Sequence, residues 1–306
     1  MQRVHSVPGM CERALVLGGG GSVGNAWEIG IVAGLAEAGV DVTGADLTVG
    51  TSAGATAAAQ VTSGVPPIML LADILAPAGR PPRTSLGAGG GPARPGPSPD
   101  HMDRTSAVID AATDAADMRR RMGAAALEAA GSSGGAEPAQ WRTVVAARLP
   151  NQLWPERLLR IPAVDARTGE PVVFDKDSGI DLVDAVAAST SNGFGVPPYR
   201  IGGASYINGG YRRNENADLA AGHARVLVLS PFGGRSRHPL EWGMHLASQV
   251  EELRAHGCRV ETIFPDPDSA HMFGANAMDL SLRPAAARAG QAQGNFLADR
   301  LGEFWR

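Results

Sequence analysis

Leu47-Thr48-Val49-Gly50-Thr51-Ser52-Ala53-Gly54 joins a short apolar run to a glycine-flanked serine turn, and Ala55 to Thr62 continue as small, helix-compatible residues. A strand, a sharp turn and a helix in that order lift a serine hydroxyl to the carboxyl end of a strand. Gly50 and Gly54 remove side chains that would collide with neighbouring backbone, and the helix start behind the hydroxyl favours negative charge there. The five residues alone are a weak signal in a chain with 40 glycines. The strand before them and the helix after them give the pattern its meaning, a nucleophile turn. The alternative is a tight helix entry without chemistry.

Upstream, Ala14-Leu15-Val16-Leu17 runs into Gly18-Gly19-Gly20-Gly21. This reads as a second buried strand entering a tight loop. A helix is predicted from Asn25 to Ala38, with Trp27, Ile31, Leu35 and Ala38 at helical spacing and Gly39 as its stop. Residues 14–62 thus form strand–helix–strand–helix, the pattern of a parallel sheet with right-handed crossovers.

Downstream, a short helix is predicted from Ile68 to Leu75. Residues 79–99 are rich in glycine and proline and read as a flexible surface loop. Residues 103–130 read as helical, with Met118, Met122 and Leu127 packing inward rather than forming a lipid groove. Gly131 to Pro138 is a second loop, and 139–160 hold one or two more helices. The block 79–160 is expected to be an insertion or cap within a single domain spanning residues 1–306. Strands are then predicted at 159–164 and 172–174, as a hairpin about Arg167-Thr168-Gly169-Glu170, and at 205–207, 225–229 and 259–264. Helices fall at 182–189 and at 240–256, the second covering the sheet and closed by Gly257. The fold class expected is α/β, a mostly parallel central sheet between two helical layers.

The 306 residues suffice for one substantial core, with 44% hydrophobic residues to fill it. A formal net charge of -4 gives no electrostatic argument for nucleic acid or an anionic membrane surface. Cys11 and Cys258 lie far apart and read as reduced thiols; no His, Asp and Cys cluster has metal-ligand spacing, so neither metal nor other cofactor is expected. Residues 1–12 lack the apolar core of a signal peptide, and no apolar stretch is long enough to span a bilayer. The expectation is a cytoplasmic location, with peripheral contact with a membrane left open and the oligomeric state undetermined.

A nucleophilic serine needs a base, commonly a histidine oriented by a carboxylate. Seven histidines are present, at positions 5, 101, 223, 238, 245, 256 and 271, and none lies in a clear end-of-strand loop with catalytic neighbours. His271, after the last strand, is the best placed. The glycine loop has three readings. Gly19, Gly21 and Gly24 fit the dinucleotide spacing G-x-G-x-x-G, but the acidic residue expected after the next strand is replaced by the serine turn. A tight turn with no ligand is the second. The third, favoured here, is an oxyanion hole, in which backbone N–H groups at a helix start stabilise charge on a carbonyl oxygen.

Gly18 to Gly24, Gly50 to Gly54, Val196-Pro197-Pro198, Asn208-Gly209-Gly210 and Asn216-Ala217-Asp218-Leu219-Ala220 together resemble the patatin-like phospholipase family. The resemblance covers roughly 12–78 and 160–265. It implies a three-layer α/β/α fold and a Ser–Asp dyad without histidine. By it, Ser52 is the nucleophile, Gly19, Gly20 and Gly21 form the oxyanion hole, and Gly209 and Gly210 support the dyad. The dyad aspartate position is occupied here by Asn208. Val23 is a second departure, since the family usually has a basic residue there. Asn208 has three explanations: an introduced substitution, the natural residue of a repurposed member, or a misplaced alignment in which Asp175, Asp177 or Asp218 supplies the carboxylate. The resemblance implies an acyl-ester hydrolase or acyl transferase acting on a lipid or acyl-bearing small molecule. The competing expectations are a repurposed pocket that binds or transforms a small molecule without the dyad, and a catalytically silent scaffold.

Overall fold

A computed structural model of the chain describes residues 12–76, 99–132 and 138–306. The elements run β1 (Arg13–Leu17), α1 (Gly21–Glu37), β2 (Leu47–Gly50), α2 (Ala53–Val61), α3 (Pro67–Leu75), α4 (Pro99–Asp110), α5 (Ala115–Ser132), α6 (Pro138–Ala146), β3 (Leu158–Asp165), β4 (Pro171–Phe174), α7 (Leu182–Thr190), β5 (Tyr199–Ile201), β6 (Ala204–Asn208), β7 (Arg225–Leu229), α8 (Leu246–Ala255), β8 (Arg259–Ile263) and α9 (Arg283–Trp305). The eight strands form one sheet in the order β5-β6-β3-β2-β1-β7-β8, with β4 also paired to β3. The core strands β3, β2, β1, β7 and β8 are parallel, whereas β4, β5 and β6 add antiparallel pairs.

Side-chain alternation along the strands builds two cores, one on each face. Leu15, Leu17, Leu227 and Leu229 face a layer containing α1, α2, α3, α7 and α9. Ala14, Val16, Val226 and Val228 face the other side, where Leu246, Val250 and Leu253 of α8 cover them. This is the α/β/α arrangement expected. Met118 and Met122 of α5 are fully buried, clustered with Val164 and Ile207 at the β3–β6 end of the sheet.

Residues 139–160 hold one helix, α6, within the one or two expected; the chain then runs irregularly until β3 begins at Leu158. Two segments differ from the sequence reading. The helix predicted over 240–256 is split. A 3₁₀ turn at Leu240–Trp242 ends at Gly243 in the left-handed region, φ 62°, and α8 begins at Leu246. The longest helix among the described residues, α9, carries no sequence expectation. It lies along α1 through glycines on both sides. A Cβ on Gly30 would fall 2.2 Å from Ala287 O, and one on Gly290 would fall 2.3 Å from Trp27 O. Gly34 and Gly294, each one turn further on, meet Gln291 O and Ile31 O as closely. Small residues at a four-residue interval let the two backbones approach, so a wide seam forms with few large side chains. Most of the loop read at 79–99, residues 133–137 of the loop read at 131–138, and Cys11 lie outside the described residues; residues 131–132 end α5 and Pro138 begins α6. Cys258 is a buried free thiol.

Candidate active site

The parallel pairings Leu17↔Gly50 and Leu17↔Leu229 bring three strand ends to one edge of the sheet. At that edge β1 gives the glycine loop, β2 gives the serine turn, and β7 gives Ser230 and Pro231. Thr51 N–H donates to Leu17 O at 3.0 Å, which ties the turn to the adjoining strand. Gly54 lies so close that a Cβ there would be 2.1 Å from Leu17 O and 2.5 Å from Gly18 O. Only glycine fits, and the glycine loop and serine turn therefore share one wall.

Ser52 adopts φ 55° and ψ -119°. For a residue with a side chain this is a strained conformation, costing about 1–3 kcal/mol. Two contacts hold it: the Ser52 N–H donates to Ser189 Oγ at 3.0 Å, and the Ser52 carbonyl accepts from Ala55 N–H in the first turn of α2. Ser189 is fully buried near the end of α7. Two residues later the Ser191 carbonyl accepts the Asn208 N–H at 2.8 Å. The end of α7 thus fixes both sides of the site. Sequence reasoning missed this role; the run of small hydroxyl residues Ser189-Thr190-Ser191 closing a helix was the available signal. The following segment is shaped by Asn192, whose Oδ1 accepts N–H groups from Phe194, Gly195 and Val196.

Asn208 ends β6 and points at Ser52. Its Nδ2 donates to Ser52 Oγ at 2.8 Å, and its Oδ1 accepts the Gly210 N–H at 2.8 Å. The second bond decides the first. Turning the amide over would set an NH₂ group against the Gly210 N–H, donor against donor. Asn208 therefore offers the serine a donor, and Ser52 Oγ accepts. Gly209 allows the sharp exit from β6, since a Cβ there would meet Pro162 O at 2.2 Å.

The other carboxylates considered are engaged elsewhere. Asp218 pairs with Arg212 and Arg213, Asp175 caps its own turn through Ser178 and Asp177, and Asp177 pairs with Lys176. His271 has its Nδ1 on Asp268 O, and His223, His238, His245 and His256 likewise have local contacts. Among the described residues, Asn208 is the side chain hydrogen-bonded to Ser52 Oγ. Among them, too, no group of three or more metal-ligating side chains is found.

The glycine loop is braced from beneath by Asn214 and Glu215. Gly19 N–H donates to the Asn214 carbonyl at 3.0 Å, and Asn214 Nδ2 returns a bond to Gly19 O at 3.2 Å. Gly18 N–H is committed to Leu229 O. The loop's remaining N–H groups, those of Gly20 and Gly21, stand at the start of α1, where helix geometry leaves donors unpaired. Gly21 has φ 64°, and a Cβ on it would meet Ala277 O at 2.5 Å. Glu215 is buried, with its carboxylate accepting from Ser230 Oγ, Asn214 Nδ2 and Gln249 Nε2. Burial raises its pKa against those bonds. Glu28, on α1, is wholly buried nearby. Burial raises its pKa well above the carboxylate range, the Gly18 backbone beside it offsets part of this, and the Glu215 charge adds to the rise. Neither residue had been singled out in the sequence.

The family model for patatin-like phospholipases matches residues 15–221, from β1 through the serine turn and Asn208 to the Asn216–Ala220 segment. The chain belongs to the patatin-like phospholipase family. Solved structures that resemble the chain include the following two. VipD from Legionella pneumophila matches at 14% identity, over 95% of this chain and 67% of that one, with a TM-score of 0.46. Type III effector protein ExoU matches at 17% identity, over 93% of this chain and 54% of that one, with a TM-score of 0.34. The chain thus spans about two thirds and about half of their lengths. No curated protein matches the chain by sequence. Among the described residues, no helix of this patatin-like chain is long and apolar enough to cross a membrane.

Proposed function

We propose that the chain is a patatin-type acyl-handling protein in which Ser52 takes an acyl group from an ester or thioester of a lipid or acyl-bearing small molecule. Ser52 Oγ attacks the carbonyl carbon, the N–H groups of Gly20 and Gly21 receive the carbonyl oxygen, and the positive end of α2 supports the serine oxygen; the tetrahedral intermediate then collapses, the ester C–O or thioester C–S bond breaks, and the alcohol or thiol leaves with a proton taken from water. Gly19, whose N–H is committed to Asn214, positions the loop. Neither metal nor cofactor is invoked.

The observation that carries the proposal is the Asn208–Ser52 hydrogen bond at 2.8 Å, in the place where the family resemblance puts the dyad aspartate. Its polarity sets the limit on rate. The serine proton has no carboxylate to accept it and leaves to water, so acylation is slow. The acyl-enzyme then lacks a base to activate water, so deacylation is slow too. A donor fixed on Oγ supports a second reading, in which the pocket binds an acyl-bearing metabolite without turning it over.

Intact-protein mass spectrometry after incubation with p-nitrophenyl esters and acyl thioesters separates them. The first reading expects an acyl adduct on the peptide carrying Ser52, absent in Ser52→Ala. Saturable ligand binding with no adduct, in both the wild type and folded Asn208→Asp, would overturn it in favour of the second.

A further inference from the structure

A second recess lies away from Ser52. A recess of about 250 Å³, open to solvent on one side, is lined by α1, the end of α2, α3, residues 147–150 and the start of α9. Gln60 on its wall is eight residues along α2 from Ser52, about 12 Å at the helical rise. The volume equals that of about eight liquid waters.

Its chemistry is divided. Ile29, Leu70, Ile74 and Leu149 supply apolar walls, and Arg148 and Arg283 supply two guanidinium groups. Asp73 is the acidic residue facing them, so positive charge prevails by one. Neither arginine is in an ion pair among the described residues. Arg148 has its guanidinium 5.3 Å from the Trp141 ring and makes no side-chain hydrogen bond among those residues. Arg283 is held on one edge only. Its Nη1 donates to Ser22 O at 2.7 Å, and Nη1 and Nη2 both reach Asn25 Oδ1 at 3.2 Å. That leaves the Nε–H and the second Nη2–H side by side, the edge that takes a carboxylate or phosphate through two parallel bonds.

Two like charges share one partly desolvated space. Burial, and then the Arg148 charge, lower the Arg283 pKa to about 10, so it remains protonated at neutral pH. An anion between them removes the repulsion and fills the free guanidinium edge, while apolar walls take an attached chain.

We propose that this cavity binds a small anionic amphiphile, a carboxylate or phosphate on a short apolar stem, between Arg148 and Arg283. The site is independent of whether Ser52 reacts. Arg283 also connects it to the other machinery: the Ser22 carbonyl it holds is in the first turn of α1, directly after Gly20 and Gly21.

The test uses the whole chain, with thermal shift and tryptophan fluorescence titrations of decanoate, decyl phosphate, inorganic phosphate and decanol. Saturable binding of decanoate or decyl phosphate is expected, and whichever of the two binds more tightly identifies the head group. Decanol and inorganic phosphate should bind at least about tenfold more weakly, because each lacks one half of the recognised chemistry. Arg148→Glu, at an exposed position, should keep the fold and weaken binding about tenfold or more, and Arg148→Lys should restore part of it. No saturable binding to wild type would overturn the proposal. So would decanol or inorganic phosphate binding as tightly as the amphiphiles, or an affinity unchanged by Arg148→Glu in folded protein.

Discussion

Replacing Asn208 by aspartate exchanges one NH₂ group for an oxygen and reverses the hydrogen bond at Ser52. The Gly210 N–H still holds Oδ1 at its 2.8 Å position, so the new oxygen takes the place of Nδ2, 2.8 Å from Ser52 Oγ. That oxygen can only accept, and the serine hydroxyl must turn to donate. A positioned general base contributes about 10²–10⁴ in rate, which is about 3–5 kcal/mol of barrier. The fold should tolerate the change, since both carboxylate oxygens have donors in place. Labelling of Ser52 by a fluorophosphonate reports the attack step alone. Asn208→Asp should label about 10²–10⁴ times faster than wild type at pH 7, and the double variant Ser52→Ala/Asn208→Asp should not label. The rate of the variant should rise with pH as the new carboxylate ionises, near the ordinary aspartate value of about 4, and then level off. A folded Asn208→Asp protein labelling no faster than wild type would refute the reasoning, because the position would then not be that of the base. A wild type labelling as fast as the variant would refute it equally, by requiring a base other than residue 208.

Glu28 predicts a pH effect on stability. Its folded-state pKa is raised by burial, so the folded protein holds the proton more tightly than the unfolded chain, and stability falls as pH rises above the ordinary value of 4.5. Glu28→Gln keeps the neutral shape and should flatten that slope, with a gain on the order of 1–3 kcal/mol at pH 8 and little change at pH 4. Urea unfolding at the two pH values checks it; an equal effect at both would contradict a buried acid. Gly54→Ala places a methyl group 2.1 Å from Leu17 O, where two strand ends and a helix start leave no room to yield. It should cost about 3 kcal/mol or more, and a loss below about 1 kcal/mol by the same measurement would show that the turn relaxes. Gly30→Ala should separate α1 from α9, lowering the melting temperature by several degrees, about 2–3 kcal/mol in a chain of this size. An unchanged melting temperature would mean the seam contributes little.

The parts of the fold written locally were legible. Ala14–Leu17, Leu47–Val49 and Arg225–Leu229 are apolar runs stopped by glycine, serine or proline, and each became a core strand. What escaped is what long-range contact decides. The first part of α9 buries only small or polar residues, Ala286, Ala287, Gly290, Gln293, Gly294 and Ala298, and its large buried residues, Leu301, Phe304 and Trp305, come in the last two turns. A search for large apolar residues at helical spacing passes over it. The matched four-residue glycine intervals, 30 and 34 against 290 and 294, were the sign that two backbones meet. Asn214, Glu215 and Ser189 were invisible for a different reason: their work is to hold backbone groups of residues far away in sequence, and nothing in their own neighbourhood announces it.

Asn208 shows where a sequence stops and geometry takes over. The sequence places an amide opposite Ser52 but leaves open which end of it the serine meets, and the two ends have opposite consequences. With Oδ1 toward Ser52 the side chain would be a weak acceptor for the hydroxyl proton. With Nδ2 toward it, one of the two serine lone pairs is engaged by a donor and the hydroxyl proton has no acceptor on residue 208, so attack through the other lone pair is slowed. The choice is made by Gly210, whose N–H can bond only to an oxygen. The same N–H would anchor one oxygen of an aspartate and aim the other at the serine. The strained turn at Ser52, the α7 clamp through Ser189 and Ser191, and the paired bonds of Gly19 with Asn214 hold the rest of the site in the geometry that the proposed attack requires. On the proposed function, the polarity of this one hydrogen bond sets how fast Ser52 reacts, and one atom is enough to change it.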